Sequence, residues 1–233
     1  MKSPDSRVAA FLGNLPLFKE MSPEEIERIA QGTQTQNVPR GQILFQKGDP
    51  CHGFHLVVYG QIKLAFTSPQ GSEKVVEIIG PGQSFGEAVM FMDKPYVLFA
   101  QALADSLLLH VSKKTVFQEL ERDPKFARKM LSGLSRRLHG LIGDVEAYSL
   151  RSGVQRVIGF LLRDEPETEA GHNTLDIMLP TSKGTIASRL SVTPEHFSRI
   201  LHELSEAGLI RVEGRAVHIL DIERLRRYGV AED

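Results

Sequence analysis

The sequence predicts an α+β protein in three successive parts: a closed or double-layered antiparallel sheet, one long helix, and a small helix–turn–helix unit followed by a hairpin. Three observations predict it. Between residues 38 and 111, short runs rich in Val, Ile, Leu and Phe are separated by Gly- and Pro-containing turns. From Leu131 to Tyr148, apolar residues recur at alternating steps of three and four. Between Ser182 and Gly208, two capped helices flank the short turn Ser191-Val192-Thr193. These features divide the chain into residues 1–123, 124–150 and 151–233.

Residues 1–32 read as helical. Ser22 is a helix cap, Pro23 occupies the first helical position, and Glu25 completes a capping box. Leu12, Leu15, Leu17, Phe18, Ile26 and Ile29 are apolar residues that would pack this end. The expected strands are 43–45, 55–59, 62–66, 75–79 and 107–111. Gly41, Gly48-Asp49-Pro50, Gly60, Ser68-Pro69-Gln70-Gly71 and Gly80-Pro81-Gly82 supply the turns. Ile62, Leu64 and Phe66 alternate with Lys63 and Ala65, which is the period of a half-buried strand.

Residues 112–162 return to helix. Leu131, Leu134, Leu138, Leu141, Val145 and Tyr148 form an a/d seam lasting nearly three heptads. Such a seam is narrower than the stripe of an ordinary globular helix, so it predicts a homodimer. Packing against the chain's own sheet domain is the other reading. Residues 165–175 are expected to form a polar loop.

Ser182 caps a helix from Lys183 to Leu190, Thr193 caps a second with Pro194 at its first position, and Gly208 stops it. Ile186, Ala187, Leu190, Val192, Phe197, Ile200, Leu201 and Leu204 make one small core. Two short strands around Glu213-Gly214-Arg215 form the wing. A helix–turn–helix of this kind sets its second helix in the DNA major groove. With Phe197, Ile200 and Leu201 inward, Glu195, Ser198 and Arg199 lie outward within one turn. Arg can donate twice to guanine, Glu can accept from cytosine, and Ser can bond either kind of base edge. A solvent ion pair between Glu195 and Arg199 is the plainer alternative. Thr193, His196 and Arg215 complete the candidate DNA-facing set.

Composition narrows the function. At 233 residues, 41% hydrophobic and 24% charged, the chain is an ordinary globular protein rather than a disordered one. No apolar run approaches the roughly 20 residues of a membrane span, and the first residues carry no secretory signal, so a cytoplasmic protein is expected. The net charge of −1 excludes a polybasic coat, but residues 181–230 hold eight Lys and Arg against six Asp and Glu. A local basic face suffices to read DNA. The one cysteine, Cys51, cannot make an intrachain disulfide or supply an iron–sulfur cluster. It could act as a thiolate ligand or redox sensor, although no basic cluster surrounds it in sequence. No nucleophile–base pair, P-loop or metal-ligand motif is present, so no enzyme is predicted.

The whole chain resembles the Crp/Fnr superfamily of dimeric transcription regulators. Gly41-Gln42-Ile43-Leu44-Phe45, Gly48-Asp49 and Phe85-Gly86-Glu87 look like the signature of its cyclic-nucleotide-binding-like β-roll. Thr193 to Leu209 looks like its recognition helix and the residues just after it. Glu195-His196-Phe197-Ser198-Arg199 matches the Glu-x-x-Ser-Arg of the Fnr branch. The resemblance implies a palindrome TTGAT-N4-ATCAA, with Arg199 on guanine, Glu195 on the opposing cytosine, Ser198 on a thymine and Ser182 on a phosphate. It implies double-stranded DNA and a second copy as partners. Activation would add RNA polymerase, through a surface the sequence does not mark.

The resemblance also frames the effector, whose pocket is expected at Phe85, Gly86, Glu87, Tyr96, Leu98 and Phe99. Cyclic-AMP-binding relatives follow Gly-Glu with Arg-Ser to neutralise the phosphate. Here Pro95-Tyr96-Val97-Leu98-Phe99-Ala100 contains neither, so a cyclic nucleotide is not expected. An Fnr-type iron–sulfur cluster needs N-terminal cysteines that residues 1–32 do not hold. Met90-Phe91-Met92-Asp93-x-Pro95, Tyr96-Val97, Ala100-Gln101-Ala102 and Arg137-Leu138-His139 are similar to the Dnr-type, nitric-oxide-responsive regulators of denitrification. That likeness implies haem in an apolar cavity between β-roll and dimer helix. His139 is the candidate ligand, a solvated histidine being the other reading. His52, His55 and His218 are expected to be structural or surface residues.

Overall fold

A computed structural model describes residues 4–15, 18, 21–163 and 173–229. The chain forms two compact units, 1–140 and 141–233. The division falls inside the long helix. The reason is local: Phe126 and Met130, early in that helix, are buried in the core of the first unit.

The first unit opens with α1 (Pro4–Gly13) and α2 (Pro23–Gln31). The capping box at α2 forms as expected: Glu25 N–H donates to Ser22 Oγ at 3.3 Å, and Ser22 N–H donates to Glu25 Oε2 at 2.6 Å. Then come β1 (Thr33–Val38), β2 (Ile43–Phe45), β3 (Gly53–Tyr59), β4 (Ile62–Thr67), β5 (Glu73–Ile79) and β6 (Ser84–Phe85). They are followed by α3 (Glu87–Met92), β7 (Phe99–Ala102), β8 (Ser106–Ser112), α4 (Lys113–Arg122) and α5 (Pro124–Leu150). Two four-stranded antiparallel sheets result, ordered β1-β8-β3-β6 and β2-β7-β4-β5.

Between the sheets, Val57, Phe85 and Leu108 of the first pack with Ile62, Leu64, Ala100 and Ala102 of the second. On the other side of the first sheet, Phe54, Leu56, Leu109 and Val111 pack with Leu12, Phe18, Ile29 and Phe126 of the helices. Strand β3 is thus covered on both faces. Glu119 of α4 is buried, and its carboxylate accepts two hydrogen bonds from the Arg28 guanidinium, both at 3.0 Å.

The expected alternation in β4 does not hold. Ile62, Lys63, Leu64 and Ala65 are all buried, and Phe66 is 44% exposed. A bulge at Leu64/Ala65 in the pairing with β5 shifts the phase of the strand. Lys63 tolerates burial because its ammonium pairs with Glu73 and lies 5.3 Å from the centre of the Phe99 ring. Strands β1, β6 and β7 and helix α3 had no clear local signal in the sequence.

The second unit contains α6 (Gly153–Leu161), β9 (Leu175–Met178), α7 (Lys183–Arg189), α8 (Pro194–Glu206), β10 (Ile210–Glu213), β11 (Ala216–Ile219) and α9 (Ile222–Arg227). The polar loop expected over 165–175 lies mostly outside the described residues, and its last residue opens β9. Strand β9 adds to the predicted hairpin, giving a sheet ordered β10-β11-β9. The core residues expected here converge: Ile186, Ala187, Leu190, Phe197, Ile200, Leu201 and Leu204 are buried with Leu209, Ile210 and Val217, and Val192 packs against them.

Candidate DNA-reading surface and effector cleft

Both helices of the helix–turn–helix start where their caps require. Ser182 Oγ accepts from Thr185 N–H at 3.2 Å, and Thr193 Oγ1 accepts from His196 N–H at 3.1 Å. These hydroxyls satisfy amides that a helix start leaves unpaired. Gly208, at φ +68°, follows the end of α8 in a conformation glycine adopts without strain. With Phe197, Ile200 and Leu201 in the core, Glu195, Ser198 and Arg199 are exposed on the first turns of α8. No ion pair joins Glu195 to Arg199 among the described residues, so the plainer reading of that spacing is not realised.

Three residues assigned to DNA also have neighbours within the protein. His196 is half-buried against α6: a Cβ placed on Gly153 would lie 3.1 Å from its Cε1. Its position follows from the helical turn, which carries the residue between Glu195 and Phe197 toward the neighbouring helix. Arg215 folds back on the wing, where Nε and Nη2 donate to the Leu179 carbonyl at 3.1 and 2.6 Å. Ser182 Oγ is engaged with Thr185, 2.9 Å from Thr185 Oγ1 as well as capping its amide. Beside Ser198, a groove of about 570 Å³ is bordered by Lys183, His202, Ser205 and Arg211. The sequence reading missed these groups. His202 stands one helical turn beyond Ser198, a spacing that could have found it.

Several seam residues of α5 are exposed. Leu131, Leu138 and Val145 are 63, 61 and 63% exposed, Leu141 and Ile142 are exposed too, and Leu134 is half-buried. The side chain of Tyr148 lies outside the described residues. Packing on the sheets of its own unit is therefore not what Leu131 and Leu138 do. His139, next to Leu138, is also exposed.

The expected effector residues pack in different places. Phe85 belongs to the core between the sheets, Phe99 packs separately with Ala65 and Val75, and Glu87 is buried at the start of α3. Gly86 precedes α3 at φ +97°, and Leu98 packs at the edge of the inter-sheet core. Of the six, Tyr96 alone borders the large cleft of this unit, which measures about 710 Å³. Strand register builds that cleft. Gln34 of β1 lies opposite His110 of β8, which lies opposite His55 of β3, which lies opposite Phe85 of β6. One polar row thus crosses the sheet where the apolar inter-sheet core ends, with His52, Asp49 and Gln36 beside it.

Burial, with His110 as neighbour, pushes the His55 pKa down from 6.5 to about 3. Burial also lowers that of His110, helped by His52. Burial raises the Tyr96 hydroxyl, with Cys51 adding to the shift. Phe45 stacks on Tyr96 with ring centres 3.5 Å apart. No group of three or more His, Cys, Asp or Glu able to hold a metal ion occurs among the described residues. No helix among them is long and apolar enough to cross a membrane.

Residues 35–123 match the family model of the cyclic nucleotide-binding domain, and residues 155–228 match that of the Crp-like helix-turn-helix domain. The chain is 27% identical over 223 residues to the cyclic AMP receptor protein of Thermus thermophilus, covering 93% of this chain and 98% of that protein. It is 26% identical over 183 residues to the transcriptional activator protein anr of Pseudomonas aeruginosa, covering 78% and 75%. The crystal structure of DNR from Pseudomonas aeruginosa is similar with a TM-score of 0.53 and 34% identity, covering 98% of this chain and 100% of that one. A cyclic-nucleotide-binding fold and a capped helix–turn–helix with a wing, carried on one chain, define a DNA-binding transcription regulator and not an enzyme. The chain belongs to the Crp/Fnr family.

Proposed function

We propose that this regulator is a homodimer that reads a palindrome of the form TTGAT-N4-ATCAA and is switched by nitric oxide through haem. The observation that carries the DNA reading is the exposed trio Glu195, Ser198 and Arg199 on one side of α8, with no ion pair between Glu195 and Arg199. Arg199 donates twice to guanine, Glu195 accepts from the paired cytosine, and Ser198 bonds a thymine edge. The second copy brings the other recognition helix to the next major-groove face, about 34 Å away.

The exposed α5 seam supports the dimer. Each Leu or Val moved from water into a packed seam contributes about 1.5–3 kcal/mol, against an association cost on the order of 4–15 kcal/mol. Several seam residues per helix are therefore needed, and α5 offers Leu131, Leu138, Leu141 and Val145 exposed. Activation at a promoter would add a contact with RNA polymerase.

The effector reading rests on the Dnr-type sequence resemblance. His139 has an exposed imidazole on α5, a nitrogen donor of the kind that would hold haem iron. His139 would hold the iron. The iron, when bound, supplies the site that takes nitric oxide. A second reading is a regulator without haem that answers to another small molecule or to redox state at Cys51. The polar cleft beside Tyr96 favours the small molecule.

The test is fluorescence anisotropy on a labelled TTGAT-N4-ATCAA duplex and a scrambled one, with and without ferrous haem and nitric oxide. The reading expects selective binding of the palindrome and a saturable Soret band, one per subunit, that is lost in His139→Ala. Equal affinity for both duplexes overturns the DNA reading. A spectrum identical to free haem overturns the haem reading and leaves the DNA reading standing.

A further inference from the structure

We infer that the cleft between β1, β3 and β8 is a binding site for an uncharged planar nitrogen heterocycle carrying an N–H donor, of the kind represented by nicotinamide or adenine. The site is separate from His139 and from the Gly86-Glu87 turn, neither of which borders it. It does not depend on the haem reading.

Two residues that border the cleft each carry a buried polar atom without a hydrogen-bond partner: Gln36 Oε1 and His55 Nδ1. His55 is 5% exposed, so bulk water does not serve it freely. A buried polar group left unpaired costs about 1–3 kcal/mol, and native folds keep few of them. Two such atoms on residues that border one cleft mark a place where a ligand would complete the hydrogen bonding. Gln36 Oε1 is an acceptor and requires a donor from the ligand. His55 Nδ1 donates or accepts according to tautomer.

Charge and shape narrow the ligand class. No Lys or Arg borders the cleft among the described residues, and Asp49 is the one carboxylate there. His55 stays neutral near pH 7 because burial holds its pKa at about 3. A phosphate or carboxylate would enter with no cation to meet it, at a desolvation cost nothing repays. The walls are flat: Phe45 and Tyr96 are stacked, and His55 is stacked on Phe85. Flat aromatic walls, an amide edge and an imidazole nitrogen suit a planar heterocycle, as a Gln amide suits the donor–acceptor edge of a base.

The experiment uses the full-length protein with ¹⁵N-labelled histidine. Nicotinamide and adenine are titrated separately, with adenosine monophosphate as an anionic control, while the imidazole nitrogens are followed by NMR. The proposal expects saturable shifts of the His55 and His110 nitrogens with at least one uncharged probe. It expects about tenfold weaker binding in Gln36→Leu, the loss of one hydrogen bond, and weaker binding still of adenosine monophosphate. His55→Phe keeps the ring stacked on Phe85 and removes the unpaired nitrogen, so it should fold and fail to bind, as read from the His110 signals. Absence of saturable shifts with both uncharged probes means that only water fills the cleft and overturns the proposal. So do shifts that persist unchanged in folded Gln36→Leu and His55→Phe.

Discussion

The imidazole of His55 stacks on the ring of Phe85, with ring centres 5.0 Å apart and planes 14° from parallel. The contact follows from register, since the two residues face each other across β3 and β6. It also fixes a charge state. Burial, with His110 at 4.8 Å between ring centres, lowers the His55 pKa from 6.5 to about 3. The unfolded chain takes up this proton near pH 6.5, whereas the folded chain takes it up only near pH 3. The unfolded state therefore binds more protons in that window, and stability is lost as pH falls from about 6.5 toward 3. At about pH 4.5 this group alone should lower the unfolding free energy by about 2–3 kcal/mol relative to pH 7.5. Urea unfolding at both pH values checks it: His55→Phe should show a smaller drop by roughly that amount. An equal drop in both proteins would mean that His55 is not the group responsible.

Arg199 is exposed on α8 and makes no ion pair with Glu195, so its removal should cost the fold little. Arg199→Ala is expected to weaken binding to the palindrome by about 1–3 kcal/mol while leaving scrambled DNA nearly unaffected. Anisotropy titrations on both duplexes at one fixed salt concentration measure the difference. The same loss on scrambled DNA would assign Arg199 to the phosphate backbone.

Elements set by local rules were readable in the sequence, and elements set by pairing were not. Ser182, Thr193 and Gly208 bound α7 and α8 because a cap is a property of a few adjacent residues. Strand β1 reads Thr-Gln-Thr-Gln-Asn-Val and carries no apolar alternation, so only its partner β8, some seventy residues later (Thr33 opposite Val111), makes it a strand. The candidate cleft has the same origin. Gln34, His55 and His110 are far apart in sequence and meet because the register of three strands places them in one row. No spacing rule marks such a row. The Phe85–Phe99 expectation followed a sequence signature, yet burial divides those residues between two cores. Glu195, Ser198 and Arg199 were readable because helical periodicity alone decides which face is left outside.

The α5 seam yields a third prediction. Leu138 is 61% exposed in the protomer, so a charge there meets water and leaves the protomer's core intact. In a dimer seam the same charge would be buried opposite apolar side chains, a severe cost. Leu138→Asp is expected to be folded by circular dichroism and monomeric in sedimentation velocity, with palindrome binding lost alongside the dimer. A folded variant that remains dimeric would place the interface elsewhere.

Arg215 separates a structural from a DNA-contacting role on the wing. Its guanidinium donates to the Leu179 carbonyl through Nε and Nη2 at 3.1 and 2.6 Å, and Leu179 N–H donates to the Arg215 carbonyl at 2.8 Å. The Leu179 side chain is buried in the core of this unit, so the pair ties the tip of the wing to the segment that leads into α7. Arg215→Ala keeps the backbone bond and removes the side-chain donors. The expected loss is about 1 kcal/mol, the low end for a charged donor because Arg215 is an exposed residue. Hydrogen exchange should quicken at the β10–β11 turn while the amides of α8 stay protected. DNA binding gives the decisive reading, since each phosphate contact contributes about one unit to the slope of log affinity against log salt. A structural Arg215 leaves that slope unchanged in the alanine variant. A slope shallower by about one, with stability and exchange unaltered, would instead put its guanidinium on the DNA backbone.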